Sequence, residues 1–347
     1  MSEPEASRAP YVGILAAGTY VPETTLSSAA IAEATGIPEP IIRTKFGIHQ
    51  KPIPGPEDHT NAMALRAAQD CLARAGVGPE AIDLVLCTSE EWKEYPLWTA
   101  GIGLAHELGA TRAWAIDVQQ RCGTTMAAIE MARAMCLSSP GIETVLIAGG
   151  YRNCDFVDFS NPRARFLINL SAGGGALLLR RGHPHNRVLG SAVITDGSFS
   201  HDVVVPSGGT LDPRFDEPIG SGRRALDVPD PEGMKGRLDA KSMANFLAVV
   251  DQALARSGLG RADIDFLNIL HMKRSAHRHV LGELGLGEDQ TFYLEDYGHM
   301  GQQDQPLVCV EAERRGLLKA GDVMVMVAAG IGYAWSASVI RWGPVDA

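Results

Sequence analysis

Several things are missing from the 347-residue chain, and each absence removes a class of protein. Basic charge is in deficit: 31 Lys and Arg against 41 Asp and Glu leave a formal net charge of −10, which argues against general nucleic-acid binding, since that needs a basic footprint. An acidic partner therefore has to dock on a local basic patch. No pair of the six cysteines has the CxxC spacing of a zinc or redox site, so no metal site is expected. The opening MSEPEASRAP has no apolar segment of signal-peptide type, and no apolar run reaches the length of a membrane span. Together with thiols that look unpaired, this points to a soluble protein of the reducing cytoplasm, with no membrane partner. The glycines of SAGGGALLL, residues 171–179, lack both the GK[ST] ending of a phosphate loop and GxGxxG spacing, and are better read as tight packing.

The chain does contain enough apolar residues, 45%, to bury a sizeable core without staples. Among the cysteines, Cys71, Cys136 and Cys309 fall inside helical apolar patterns and Cys87 closes a strand-like run, the places of buried thiols. Cys154 lies in a polar loop and is left open. Cys122 differs: in AIDVQQRCGTTMAAIEMARAM, residues 115–135, it sits between a polar loop and a helical pattern carried by Met126, Ile129 and Ala132. A thiol at a helix start feels the positive end of the dipole, which favours thiolate.

The sequence also repeats. ARAGVGPEAIDLVLCT at 73–88 and ARSGLGRADIDFLNIL at 255–270 share Ala, Arg, two Gly, Ile and Asp in register at a spacing of 182. Each reads as a helix end, a glycine turn and a buried strand. GIETVLIAGG at 141–150 and AGDVMVMVAAG at 320–330 echo one another at about 180. Two echoes at one offset imply two similar α/β halves, here divided as 1–180 and 181–347. The same offset carries Cys122 into YGHMGQQDQPLVCVEAERRGLL, 297–318, a glycine-bearing loop entering what reads as an amphipathic helix. In a pseudo-twofold arrangement the two loops face each other, and His299 approaches Cys122. His271, directly after the strand FLNIL, lies at a strand end, where open α/β sheets mount their chemistry. Each histidine alone is most simply a satisfied surface or core residue; it is their convergence with the thiol that points to a site.

With these motifs in place, the chain resembles the ketoacyl-ACP synthase III branch of the thiolase superfamily over nearly its whole length. The resemblance rests on GILAAGTYVPETTLS, IIRTKFGIHQK, DVQQRCGTT, SAGGGALLL, LHMKRSAHRHVLGELGL, YGHMGQQDQP and VAAGIGYAWSASVIRWG taken in order. It implies a five-layered αβαβα fold of two duplicated halves, a homodimer, and use of acyl-CoA or acyl-carrier-protein thioesters as substrates with no permanently bound cofactor. It makes Cys122 the acylated nucleophile and His271 the first catalytic histidine, and it places the oxyanion hole at the backbone amides of Cys122 and Ile331. The chain departs from the type-III pattern at His299, which replaces an asparagine and gives a Cys-His-His set. Met-Lys-Arg follows His271 where Gln-Ala-Asn is usual, and Ile41 stands where many members carry a tryptophan that stacks on the CoA adenine.

Such a site transfers acyl groups between thioesters. If a malonyl-type carbon nucleophile receives the acyl group, the reaction is a decarboxylative condensation of fatty acid or polyketide biosynthesis, and two imidazole N–H groups hold the enolate oxygen. If an alcohol or amine receives it, one histidine has to act as general base. From a different class comes a non-catalytic partner subunit of a ketosynthase heterodimer, which would have no need of Cys122, His271 and His299. Trp92, Tyr95 and Trp98 read either as a wall of the acyl pocket or as aromatics packed on a partner subunit. Lys45, Arg163, Arg165, Lys273, Arg274 and Arg278 read either as solvated charges or as a landing pad for a carrier protein or CoA; Arg274 and Arg278 share a helix face.

Overall fold

Close backbone approach sets how the first layers stack. A Cβ on Gly18 would lie 2.3 Å from the Cys71 amide nitrogen, so the first long helix rests directly on the first strand. The computed structural model describes residues 10–344. The chain runs through β1 (Val12–Tyr20), β2 (Thr25–Ser27), α1 (Ser28–Thr35), α2 (Glu39–Ile41), a π-helical turn at Ile42–Phe46 and β3 (Gln50–Pro52). It continues with α3 (Thr60–Ala75), β4 (Leu84–Cys87), α4 (Ala100–Leu108), β5 (Trp114–Asp117), α5 (Thr124–Ser138), β6 (Thr144–Tyr151) and β7 (Gly173–Arg181). The remainder is β8 (His185–Thr195), α6 (Pro231–Arg256), β9 (Phe266–Ile269), α7 (Arg274–Leu284), α8 (Asp304–Arg314), β10 (Val323–Gly330) and β11 (Ala334–Pro344).

The strands line up as β5-β4-β6-β7-β1-β8-β11-β10-β9, one order reflected about its middle. β7 runs antiparallel to both β1 and β6, and β11 runs antiparallel to both β8 and β10. β4 is parallel to β5 and β6, as β9 is to β10. Where β5 edges the first half, the second has a single parallel bridge, Leu267 to Thr291. Each sequence echo falls on matching elements: the end of α3 and β4 with the end of α6 and β9, and β6 with β10. The two half-sheets touch through one register pair, Gly13 with Arg187.

Helices α3 and α4 cover the outer face of the first half-sheet, α6 packs on the second with α7 against it, and α5 and α8 pack on strands of both. This gives the five α/β layers of a duplicated, thiolase-like fold. Sandwiching explains one departure from the sequence reading: α8 is not amphipathic, because every residue from Asp304 to Ala312 is buried. Its polar residues are internal and therefore need internal partners. Cys71, Cys87, Cys136 and Cys309 are buried and Cys154 is half-buried; all six cysteines are free thiols.

Candidate active site

Cys122, the candidate nucleophile, sits in a tightly held turn. Arg121 adopts a left-handed φ of +53°, uncommon outside glycine, and Arg121–Gly123 form a 3-10 turn that passes into α5. The Thr124 hydroxyl accepts from the Gln120 amide at 2.7 Å and donates to the Arg121 carbonyl at 2.5 Å. Ser336 of β11 donates to Gln120 Oε1 at 2.7 Å, and a Cβ on Gly123 would lie 2.7 Å from the Ser336 hydroxyl. The turn is thereby clamped against the second half-sheet, with the buried Cys122 just before an α5 N-terminus that has no side-chain cap.

Across from it, His299 Nε2 lies 3.1 Å from Cys122 Sγ. The His299 loop is fixed by its backbone: its N–H donates to the Asn169 carbonyl at 2.8 Å, and its carbonyl accepts from the Ser171 N–H at 2.9 Å. His299 Nδ1 donates to Asp304 Oδ2 at 2.6 Å. Asp304, fully buried at the first position of α8, also accepts from the Met300 N–H at 2.7 Å and the His271 N–H at 2.8 Å. Burial alone would push the imidazole pKa down, but the Asp304 carboxylate and the Cys122 sulfur outweigh it and hold His299 well above the ordinary histidine range. A charged imidazolium is thus the thiol's partner.

His271 is held differently. Asn169 Nδ2 donates to its Nδ1 at 3.0 Å, and its Nε2 donates to the Gly47 carbonyl at 3.2 Å. Burial brings its pKa down to about 4, so the ring is neutral. Hydrogen-bond partners therefore fix the two rings differently: neutral His271 carries its proton on Nε2, whereas His299 keeps a proton on Nδ1 whether or not Nε2 is protonated. Beneath both lies Lys51 of β3, a buried ammonium donating to the Ile168 carbonyl at 2.7 Å and the Leu170 carbonyl at 2.6 Å. It brackets Asn169, the residue that touches both histidines.

Ile331 follows Gly330, whose Cβ would stand 3.0 Å from the Cys122 nitrogen and 2.9 Å from the Gln120 carbonyl oxygen, so this turn lies directly on the Cys122 turn. The aromatic trio lies on a different loop. Trp92 donates to Asp155 at 3.0 Å and packs edge-on against Phe156, lining a cleft of about 190 Å³ with Arg152 and Glu94. Tyr95 is 65% exposed and stacks edge-on with Trp98, which lies under Gly103 of α4. Lys93 ties this loop to Asp117 at the end of β5 at 2.6 Å.

Of the basic residues, Arg274 is bound to Glu295, Arg278 to Glu288 at 2.6 Å and Arg163 to Asp227 at 2.6 Å. Lys45, Arg165 and Lys273 are exposed, and Lys273 Nζ lies 5.2 Å from the centroid of the Phe46 ring. Sequence reasoning missed Asp304, Asn169 and Gly47. The signal for Asp304 is a lone acid five residues after His299 at a helix start, and for Asn169 a lone amide within FLINL. Nothing in the sequence marks the Gly47 carbonyl.

A duplicated five-layered α/β fold with a thiol–imidazole pair where its halves meet is the arrangement of a thiolase-like protein. The family described as 3-oxoacyl-[acyl-carrier-protein (ACP)] synthase III matches residues 116–197, and its C-terminal domain matches residues 254–342. Curated relatives include the beta-ketoacyl-[acyl-carrier-protein] synthase III of Symbiobacterium thermophilum, 27% identical with 96% of this chain and 98% of the relative covered. That of Ruegeria pomeroyi is 29% identical, covering 97% and 100%. The solved 3-oxoacyl-(acyl carrier protein) synthase III of Pseudomonas aeruginosa superposes with a TM-score of 0.83 at 20% identity, covering 97% of this chain and 100% of that one. The priming beta-ketosynthase of the R1128 polyketide pathway gives 0.83 at 23%, covering 98% and 100%. The chain is a ketoacyl-ACP synthase III-like protein.

Proposed function

We propose that the protein is an acyltransferase that loads an acyl group onto Cys122 and condenses it with a malonyl-type thioester. The observation carrying this reading is the 3.1 Å contact between Cys122 Sγ and a His299 ring kept protonated by buried Asp304. The thiolate attacks the thioester carbonyl, and the backbone amides of Cys122 and Ile331 receive the oxyanion. Collapse expels the carrier or CoA thiolate, which takes the Nε2 proton of His299 and leaves as a thiol, and solvent returns a proton to that nitrogen. A malonyl thioester then loses carbon dioxide, and its enolate oxygen accepts a hydrogen bond from protonated His299 and from His271 Nε2–H as that group turns from the Gly47 carbonyl. The enolate carbon attacks the acyl carbon, the C–C bond forms, the C–S bond breaks and the thiolate returns.

The names of the relatives favour acyl-carrier-protein thioesters as substrates, and acyl-CoA is the other thioester donor such a thiol can accept. Exposed Lys45, Lys273 and Arg165 are better candidates for their docking than Arg163, Arg274 and Arg278, whose charges already have carboxylate partners. A homodimer through β5 is supported by its outer edge, where Trp114 is 49% and Ile116 40% exposed beside the Tyr95 loop; an unpaired apolar edge strand invites a second strand. We further propose that in this assembly the exposed Tyr95 side chain contributes to the partner's acyl pocket. Six free thiols fit the reducing cytoplasm. Among the described residues no helix is long and apolar enough to cross a membrane.

Intact-mass screening with acyl-CoA and acyl-carrier thioesters tests the reading. One acyl mass should appear on the peptide holding Cys122, and malonyl thioester should discharge it as a β-ketoacyl product. Label retained in Cys122→Ala, or an acyl-enzyme indifferent to malonyl thioesters, refutes it.

A further inference from the structure

We propose that acyl-Cys122 is also passed to a protic oxygen or nitrogen acceptor, an alcohol or a primary amine, with His299 Nε2 as general base once it has given its proton to the leaving thiolate, and Asp304 as the positioning residue that holds the ring's other proton on Nδ1. The proposal rests on the acyl-Cys122 reading and adds to it a second class of acceptor.

The geometry is that of a relay. Asp304 cannot swing away, because Oδ1 is held by the Met300 N–H at 2.7 Å and Oδ2 by the His271 N–H at 2.8 Å. A carboxylate only accepts, so the 2.6 Å bond to His299 Nδ1 keeps a proton on that nitrogen in both charge states of the ring. Whenever His299 is neutral, Nε2 is therefore a lone pair aimed at the sulfur 3.1 Å away. A ring locked this way is a base for an attacking O–H or N–H, whereas stabilising an enolate requires Nε2 to carry a proton. His271 does not make up the difference in this state, since its Nε2–H is committed to the Gly47 carbonyl at 3.2 Å.

The steps balance. In acylation the Cys122 thiolate forms a C–S bond to the acyl carbon, and the departing carrier or CoA thiolate takes the Nε2 proton of His299, leaving as a thiol. The acceptor then bonds through O or N to the acyl carbon while its proton moves to Nε2. The C–S bond breaks, the product is an ester or amide, and the thiolate–imidazolium pair is restored. No oxidant, reductant or further proton source is needed.

His299 faces Asp304 on α8, Cys122 on the nucleophile turn, His271 after β9 and Tyr151 at the end of β6, the last with ring centroids 6.3 Å apart. Burial keeps the Tyr151 phenol far above its ordinary range and His271 neutral, so among these groups His299 is the one whose proton the two reactions use differently, and its neutral fraction rises with pH. Condensation uses the protonated ring and heteroatom transfer the neutral one. The two acceptors consequently compete for one acyl-enzyme with opposite pH dependence.

The test starts from preformed acyl-Cys122, verified by intact mass. It is mixed with malonyl-CoA and propylamine, or malonyl-CoA and propan-1-ol, from pH 6 to 9, and both products are quantified by mass spectrometry. The expected result is an ester-or-amide to β-ketoacyl ratio that rises at least about tenfold over this range, beyond what the same acceptor gives with a free acyl thioester. Asp304→Asn removes the charge that retains the ring proton. It should lower enzymatic transfer to the amine by about 10²-fold or more and move its pH profile to lower pH, a shift that a purely structural role would not produce. A ratio flat with pH in the wild-type enzyme, or no ester or amide above the free-thioester background, overturns the proposal without needing any variant. Failure to form acyl-Cys122 at all would instead refute the acyltransferase reading.

Discussion

Replacing Lys51 with methionine should change how stability depends on pH, in a direction that burial dictates. Lys51 is fully buried and its pKa is lowered from 10.5 to about 8 by desolvation. The unfolded chain releases the same proton near 10.5. Between about pH 8 and 10.5 the unfolded state therefore binds more protons than the folded one, and stability must rise with pH across that window. At 1.36 kcal/mol per pKa unit, holding the charge inside costs the fold about 3 kcal/mol below pH 8, a cost that disappears by about pH 10.5. Against this, the Nζ donors satisfy the Ile168 and Leu170 carbonyls, and leaving these unpaired costs about 1 to 3 kcal/mol each. The two effects largely offset at pH 7, so Lys51→Met should be only modestly destabilised there. Near pH 10 the neutral amine still donates both bonds at no charging cost, and the gap between wild type and variant should widen by about 3 kcal/mol. Urea denaturation of both proteins at pH 7, 8, 9 and 10 measures this. Buried thiols such as Cys87 and Cys136, each pushed up to about 11, titrate in both proteins and cancel in the difference. A difference that stays flat between pH 7 and 10 would refute a charged, buried Lys51.

Three further outcomes follow from the site. Gly330→Ala places a methyl 3.0 Å from the Cys122 nitrogen and 2.9 Å from the Gln120 oxygen. It should cut kcat by about 10²-fold or more, the scale of losing one oxyanion donor, with thermal unfolding as the control for an intact fold. Lys45→Glu combined with Lys273→Glu should raise KM for the carrier or CoA thioester, with kcat little changed and the effect shrinking as salt is added; an equal effect on a short thioester mimic would exclude docking. Trp114→Lys with Ile116→Lys should convert a dimer to a monomer in sedimentation velocity, and an unchanged sedimentation coefficient would remove β5 from the interface.

The sequence made the duplication legible because both echoes fall on buried strands and glycine turns, where packing restricts residue choice on both copies. Cys122 stood out by local pattern, as a thiol between a polar loop and a helix. His271 was found by its place after a strand. What escaped was everything defined by a partner distant in the chain. Asp304 reads as an ordinary helix-start acid until folding buries it against His299 and the His271 amide. Arg274 and Arg278 read as a free basic face because Glu295 and Glu288 approach from other segments. The amphipathic reading of α8 failed for a related reason: a helix between two sheets has no solvent side, so its polar residues are internal partners and not a surface.

The mirrored strand order has a consequence for how the molecule divides its labour. The starts of α5 and α8 occupy corresponding places in the two copies, each entered through a 3-10 turn. One copy supplies the sulfur there and the other the carboxylate that governs the proton. A parallel bridge from Leu170 to His299 stitches the copies together beside them. Neither copy alone therefore holds the proposed set of groups: the duplicated framework has become two unlike tools, and the thiol and its imidazole meet only at the seam where the copies close on each other.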